Sequence, residues 1–289
     1  MRRGKPSADA PFRGWTRPGP LPPGGVEPEP GETLDFLCGS WRIFQLERGH
    51  RFSVDDLLAA WWGTRWVPRA GRILDLGSGI GSVALAAAWK LPGATFVTLE
   101  AQEESRRLAG KSARFDGALD RFRILGGDLR DAAALAGEEP FDLVLGSPPY
   151  WPEGTVTPPQ SGQALGARVE TRGGVADYAA AAARVLAPGG LFALVFPWSG
   201  RERALSGLVA SGLVALHERS VVFREGEPAR LVLLGASRGA DLPAAVASPG
   251  SGFPAAEPPL VLRGRDGSTP PAWAAVRLSL GLPPGDLAG

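Results

Sequence analysis

Cysteine, histidine, tyrosine and methionine are scarce in this chain of 289 residues, which has one cysteine, two histidines, two tyrosines and one methionine. A single cysteine, Cys38, excludes an internal disulfide and a cysteine-based metal cluster. With only His50 and His217 besides, we expect no zinc and no other metal site. No charge-free apolar run reaches the ~20 residues of a membrane-spanning helix, and the basic N-terminus lacks the apolar core of a secretory signal. These absences predict a cytoplasmic protein that makes no membrane contact.

Acidic and basic residues are almost equal in number, with 30 Asp and Glu against 31 Lys and Arg, so the formal net charge is +1. This balance neither requires nor excludes a nucleic-acid partner, because a local basic patch can bind a polyanion. An ordinary solvated surface is the alternative for any such patch. The candidate arginines are Arg42, Arg48, Arg51, Arg65 and Arg69.

Composition divides the chain into five parts. Residues 1–31 are rich in proline and glycine and basic at their start, which is typical of a disordered tail. A segment over 32–70 precedes the main domain, which we expect over 71–239. A linker over 240–257 leads to a small C-terminal element over 258–289, with a strand, an Asp-Gly turn and a short helix.

Strands and helices alternate after Pro68. The predicted strands are 72–76, 95–99, 121–125, 141–146 and 191–196, and the predicted helices are 80–90, 102–115, 129–136, 175–186 and 200–211. Two further strands, 213–223 and 230–236, are joined by a short turn and form an antiparallel pair. A hairpin within 34–48 and a helix over 54–66, with Ser53 as its N-cap, come first. The pattern predicts an α/β protein with a doubly wound, mostly parallel seven-stranded sheet whose last strand is antiparallel.

The first strand of this sheet ends in a glycine-rich turn, LDLGSGIGS over 74–82. Ligands of doubly wound sheets bind at the carboxyl ends of the strands, beside this turn. A dinucleotide-binding turn reads G-x-G-x-x-G, but Ser82 occupies its third glycine position. Gly77, Gly79 and Gly81, with Asp75 two residues ahead, resemble motif I of the class I S-adenosylmethionine-dependent methyltransferases. A tight turn without a ligand is the remaining alternative.

Two acidic residues follow the next two strands. Glu100 ends the second strand, 21 residues after Gly79, where a carboxylate accepts hydrogen bonds from both ribose hydroxyls. This position favours an adenosine-bearing ligand, whether NAD or S-adenosylmethionine. Asp128 follows the third strand and is placed either to meet the adenine amino group or to cap the next helix.

The fourth strand runs directly into a stiff corner, Ser147-Pro148-Pro149-Tyr150, which resembles motif IV, (N/D/S)PP(Y/F), of the amino-methyltransferases. In that motif two acceptors bind the N–H bonds of an exocyclic amine and stabilise the positive charge that develops on its nitrogen. The Ser147 side chain and the Pro148 carbonyl would be these acceptors, and the prolines hold the carbonyl still. Tyr150 would stack on a flipped-out base. In a purely structural corner, Tyr150 would pack in the core.

Over roughly 34–281 the chain resembles a narrower group, the bacterial valine-tRNA adenine-N6 methyltransferase family. The segment FQLERGHRFSVDDLLAA over 44–60 carries this resemblance, which implies that 32–70 covers the cofactor and that Phe52 and Asp55 line its pocket. The loop segment ARVE over 167–170 is also similar. By the same resemblance Arg168 and Glu170 would contact the substrate. Pro149 and Trp151, at the proline corner, are further candidate substrate contacts.

These observations predict an N-methyltransferase with a Rossmann-like fold that uses S-adenosylmethionine and methylates adenine N6 in tRNA. Ser147 departs from the family, whose adenine enzymes usually carry Asn or Asp there. The alternatives are therefore an N-methyltransferase acting on rRNA, DNA or protein glutamine, or a catalytically weak RNA-binding protein that keeps the fold. An NAD-dependent dehydrogenase fits poorly, because the glycine spacing is wrong and the proline corner has no role in hydride transfer.

Overall fold

A computed structural model describes residues 14–152, 154, 163, 169–248 and 252–287. Its strands are β1 (Glu32–Phe36), β2 (Arg42–Leu46), β3 (Arg72–Leu76), β4 (Thr95–Glu100), β5 (Phe122–Gly126), β6 (Phe141–Gly146), β7 (Leu186–Pro197), β8 (Leu213–Val222), β9 (Leu231–Arg238) and β10 (Ala255–Val261). Its α-helices are α1 (Val54–Trp66), α2 (Ser82–Lys90), α3 (Glu103–Phe115), α4 (Val175–Val185), α5 (Arg201–Ala210), α6 (Ala244–Ala247) and α7 (Pro271–Ser279). None of the described helices is long and apolar enough to cross a membrane.

Eight strands form the main sheet, in the order β10-β8-β9-β7-β6-β3-β4-β5. Neighbouring strands are parallel except around β9, which runs antiparallel to both β7 and β8. The predicted doubly wound sheet, its seven strands and its antiparallel last strand are therefore confirmed. The eighth strand, β10, pairs in parallel with β8 and begins within the stretch that composition suggests as a linker.

The two faces of the sheet carry separate hydrophobic cores, because successive side chains of a strand point to opposite faces. In β3, for example, Ile73 packs with α1, α2 and α3, whereas Leu74 packs with α4 and α5. Trp62 of α1 is completely buried in the first core. Two covered faces explain why the central strands are almost continuously apolar.

The hairpin β1–β2 and helix α1 form as predicted. Backbone N–H groups of β2 donate to side chains of α3 and of its C-cap: Phe44 N lies 2.9 Å from Ser112 Oγ, and Arg42 N lies 2.9 Å from Asp116 Oδ1. Ser53 caps α1, and Asp56 completes a reciprocal capping box by accepting from the backbone N–H of Ser53 at 2.9 Å. This cap fixes the direction in which the chain enters α1 from the 49–53 segment.

Residues 14–31, which composition places in a loose tail, lie against the domain. Gly24 N donates to Phe115 O at 3.0 Å, and Arg17 lies 3.4 Å above the Phe36 ring while it donates to Gly39 O. The expectation of disorder for residues 1–13 falls outside the described residues. The described part of this segment is thus held by specific contacts with the hairpin and α3.

Candidate active site

A cavity of about 320 Å³ opens at the carboxyl edge of the sheet, between the N-terminus of α1 and the loops that follow β3, β4, β5 and β6. Most of the predicted site residues meet there. Those in its wall are Asp55, Asp75, Gly77, Gly79, Glu100, Asp128, Ser147, Pro148, Pro149, Tyr150 and Trp151. Phe52, Gly81 and Glu170 are not in the wall, and Arg168 lies outside the described residues.

The turn after β3 brings its backbone to the cavity. Gly77 has a φ of +59°, and a Cβ atom built on it would lie 1.8 Å from the Tyr178 hydroxyl, so this position requires glycine. Gly79 has a φ of +53° and open space where a Cβ atom would be. Between them Ser78 is buried, and its hydroxyl has no hydrogen-bond partner among the described residues. The turn therefore offers backbone and one free hydroxyl to a ligand.

Glu100 is fixed by two backbone donors. Its Oε2 accepts from Gly79 N at 2.9 Å and its Oε1 accepts from Gln102 N at 2.7 Å. Each carboxylate oxygen has a further lone pair, so both oxygens can still accept hydrogen bonds from a ligand in the cavity. A side chain held in this way needs no reorganisation when the ligand binds.

Two further buried carboxylates, Asp75 and Asp56, lie at the end of the cavity near α1. Asp75 Oδ2 accepts from Ala84 N at 3.0 Å, and burial raises its pKa well above the usual value. Burial also raises the pKa of Asp56 to about 7. Because charged carboxylates are costly to bury, a cationic group bound at this end of the cavity would lower both pKa values.

Asp128 does not cap the short helix that follows it. That helix is a 3-10 turn over Ala132–Leu135, and its cap is Asp131, whose side chain accepts from Ala133 N. Asp128 instead pairs with Arg130 at 2.6 Å, and hydrogen bonds from Arg130 are the main cause that lowers the pKa of Asp128. The aspartate thus stays charged in the cavity wall, which leaves the adenine-contact alternative open.

The proline corner after β6 faces the cavity, with Tyr150 held at both its ring and its hydroxyl. The hydroxyl donates to Asp55 Oδ2 at 2.5 Å. The ring meets Phe196 edge to face, at 5.9 Å between centroids. Burial, followed by the nearby Asp55, raises the pKa of Tyr150 well above its usual value. Tyr150 is therefore a neutral phenol with a fixed ring, and Asp55 is committed to holding it.

Glu170, expected to contact the substrate, is paired with a side chain of the protein. Its carboxylate forms an ion pair with Arg203 at 2.5 Å, and Arg203 also donates to the backbone oxygen of Tyr150 at 3.4 Å. The Glu170 backbone N–H donates to Trp151 O at 2.9 Å. Glu170 thus braces the corner from outside the cavity, while Trp151 keeps 45% of its surface exposed.

The arginines suggested for a basic patch are dispersed by the fold. Arg51 lies in the cavity wall and pairs with Asp35 at 2.7 Å, whereas Arg65, in the last turn of α1, pairs with Glu257 at 2.8 Å. Arg69 lies at the opposite, amino edge of the sheet, beside the start of β6. These five residues therefore do not form one patch at the mouth of the cavity.

Sequence reasoning missed several residues of the cavity wall, notably Ser78, Asp56, Arg172 and Tyr178. Ser78 and Asp56 lie within predicted motifs, but the ligand-binding roles were assigned to neighbouring residues of those motifs. Tyr178 comes from α4, and its contact with the turn after β3 arises from packing across the sheet. No spacing along the chain signals such a contact.

Comparison with known proteins finds methyltransferases as relatives of this chain. A family model described as methyltransferase small domain matches residues 56–203. The release factor glutamine methyltransferase of Rhodospirillum rubrum is 36% identical over 155 residues, 51% of this chain and 46% of that protein, so the chain spans about half its length. The tRNA1(Val) (adenine(37)-N6)-methyltransferase of Aeromonas hydrophila is 30% identical over 212 residues, 72% of this chain and 86% of that protein. The predicted resemblance is thus confirmed.

A solved structure from Agrobacterium tumefaciens, of a protein described as a predicted O-methyltransferase, shares the fold. It has a TM-score of 0.58 at 22% identity and covers 79% of this chain and 97% of that chain. The family model covers just over half of the chain. The chain therefore belongs to the methyltransferase small domain family.

Proposed function

We propose that the cavity binds S-adenosylmethionine and that the enzyme methylates the N6 amine of an adenine in tRNA. The observation that carries this proposal is that a single cavity is lined by Gly79 and its hydrogen-bond partner Glu100 on one side and by the corner over 148–150 on the other. A nucleoside held by the first would place its reactive end beside an amine held by the second. Proximity of this kind removes much of the entropic barrier of a two-substrate reaction.

The residues present fit the cofactor. Glu100 would accept from the ribose hydroxyls, and Asp128 would accept from the adenine amino group. Ser78 has a buried hydroxyl without a partner among the described residues, and the acidic end at Asp56 and Asp75 suits an ammonium group. When bound, S-adenosylmethionine supplies an electrophilic methyl group on a positively charged sulfur.

The corner would orient the acceptor amine. One N–H bond of the amine donates to the Pro148 carbonyl and the other to the Ser147 hydroxyl, while the base stacks on the Tyr150 ring. The corner would thus present the nitrogen to the methyl group that S-adenosylmethionine supplies, and the surplus proton on nitrogen would pass to solvent. The two acceptors stabilise the positive charge on nitrogen as it develops.

Coverage of the relatives favours tRNA over a protein glutamine. The relatives named for tRNA are matched over 72–86% of their length, whereas those named for release factor glutamine are matched over 28–73%. The glutamine alternative keeps some support from its higher identity of 36%. Adenine N6 and the glutamine side-chain nitrogen are both planar nitrogens whose lone pairs are delocalised. The corner would therefore serve the same chemistry with either substrate.

A parallel labelling experiment tests the substrate. The enzyme is incubated with methyl-labelled S-adenosylmethionine and either total tRNA or purified release factor, and the products are identified by nucleoside and peptide mass spectrometry. We expect N6-methyladenosine in tRNA and no label in the release factor. Label in glutamine alone would replace the proposed substrate, and label in neither would contradict the function.

A further inference from the structure

A ridge of exposed aromatic and basic side chains extends from the mouth of the cavity along the carboxyl edge of the sheet. We call it the carboxyl-edge ridge and define it by Trp151, Trp198, Arg224, Arg230, Arg263 and Arg265. We propose that it is the docking surface for the RNA strand that flanks the methylated base. This inference rests on the proposed function and names the part of the protein that holds the RNA.

The sheet topology brings the ridge to the catalytic corner. β9 is antiparallel to β7 and to β8, and β10 is parallel to β8, so β7, β8 and β10 all end at the same edge as β6. The segments 198–203, 223–230 and 262–268 therefore follow their strands at the edge where the proline corner lies. β10, which sequence analysis did not place in the sheet, is what adds Arg263 and Arg265.

Hydrogen bonds connect the ridge from one segment to the next. Arg203, just after the 198–200 turn, donates to Tyr150 O in the corner at 3.4 Å. Trp198 N donates to Arg230 O at 2.9 Å. Glu225 N donates to Arg263 O at 2.8 Å, which joins the hairpin to the segment after β10. The ridge is thus one continuous surface.

The exposed chemistry of the ridge matches an unpaired RNA strand. Trp151 and Trp198 keep 45% and 37% of their surface exposed, and exposed indoles are platforms for unpaired bases. The four arginines of the ridge are exposed, and none of them forms an ion pair within the described residues. Unpaired guanidinium groups beside stacking rings are suited to phosphates.

The carboxylates on the ridge keep their charge, but within the described residues none of them forms an ion pair with these arginines. Asp266 accepts from Ser268 N at 2.9 Å, and Glu225 accepts from Arg265 N at 3.4 Å, so both are turned toward the backbone. Glu227 of the hairpin and Glu202 near Trp198 are the remaining exposed acids of these segments, and Glu202 pairs with Arg201. The side chains that project freely are therefore mainly cationic and aromatic, which favours a polyanion over an acidic protein surface.

The test uses the full-length enzyme and a tRNA transcript that it methylates. In the double variant Arg224→Gln, Arg263→Gln we expect KM for the transcript to rise at least about 10-fold, with the slope of log Kd against log salt reduced by about 1 to 2. Trp198→Ala should weaken RNA binding about 10-fold. kcat at saturating RNA and the affinity for S-adenosylmethionine should stay unchanged. Arg69→Gln, at an exposed arginine on the amino edge, is the matched control.

The outcomes separate the two proposals. If the wild-type enzyme methylates no RNA, the proposed function itself fails. If it methylates RNA, but the ridge variants show the same KM and salt dependence as the wild type, the ridge assignment is overturned while the function stands. Equal losses in the ridge variants and in the control would also overturn it, because attraction by overall charge would then explain binding.

Discussion

The two halves of the cavity are built by different kinds of contact. In the half proposed for the cofactor, Glu100 is held by backbone N–H groups of the turns that border it. In the half proposed for the substrate, Tyr150 is held by Asp55, 95 residues away, and its backbone is braced by Arg203. Contacts from backbone N–H groups depend on the conformation of local turns. Contacts from side chains on distant elements depend on tertiary packing. Substitutions should therefore damage the two halves independently.

The largest effect is expected for Tyr150→Ala. Loss of a stacked base costs ~1–3 kcal/mol, and the corner also loses its contacts to Asp55 and Phe196, so we expect transfer to fall at least about 100-fold. Affinity for S-adenosylmethionine, measured by calorimetry, should change less than about 3-fold. A variant with normal turnover, or one that loses cofactor and transfer together, would contradict the division between the halves.

Glu100→Ala is the converse substitution. Because each lost hydrogen bond to a charged group contributes about 1.5–3 kcal/mol, we expect the Kd for S-adenosylmethionine to rise about 10- to 100-fold. At saturating cofactor, transfer should recover most of its rate. Glu103→Ala, an exposed acid in the first turn of α3, is the matched control. Unchanged affinity in Glu100→Ala would refute the ribose assignment.

The same division explains which parts of the site the sequence could predict. The glycine turn, Glu100 and the proline corner are short patterns whose chemistry depends on neighbours in the chain, and all of them lie at the cavity. The roles of Asp55 and Glu170 depend on Tyr150 and Arg203, which come from distant elements. Sequence alone therefore placed both residues near the site and did not identify their partners.

In the fold, the position of one strand, β10, was likewise not predicted from the sequence. The strand expected in the element over 258–289 begins instead at Ala255, within the predicted linker, and joins the main sheet. It contains Pro258 and Pro259, although proline cannot donate to a sheet. β10 is an edge strand, however, and its register shifts between Glu257 and Leu260. An edge position with a bulge is where a strand tolerates proline. The neighbouring strands were predictable because their apolar runs are uninterrupted.

A smaller effect is expected for Asp55→Asn. An amide at this position can still accept from the Tyr150 hydroxyl but removes the charge, so the ring should lose part of its restraint. We expect kcat to fall about 3- to 10-fold with little change in the affinity for S-adenosylmethionine. Tyr150→Phe should cause a similar loss, and the double variant should be no worse than either single one. Additive losses would show that Asp55 and Tyr150 act separately.

The smallest effect is expected at Asp116, a buried carboxylate outside the cavity. Its substitution should change how stability depends on pH and leave activity unchanged. Burial raises the pKa of Asp116 to about 8, although its Oδ1 accepts from Arg42 N at 2.9 Å, and its Oδ2 has no partner within the described residues. This pKa lies above the unfolded value, so the folded state binds the proton more tightly. Stability is lost as the pH rises toward about 8, by up to about 1.4 kcal/mol per pH unit.

Asp116→Asn removes this titration, and denaturant unfolding at pH 6 and pH 9 measures the difference. We expect the wild type to lose more stability than the variant between these two pH values, while Asp120→Asn, at an exposed position nearby, behaves like the wild type. Asp56 and Asp75 titrate in the same direction in all three proteins, so comparison with the wild type cancels their contribution. Because Asp116 is outside the cavity, adding S-adenosylmethionine should shift all three unfolding curves equally. An unequal shift would mean that the buried carboxylate beneath the hairpin is coupled to the cofactor half.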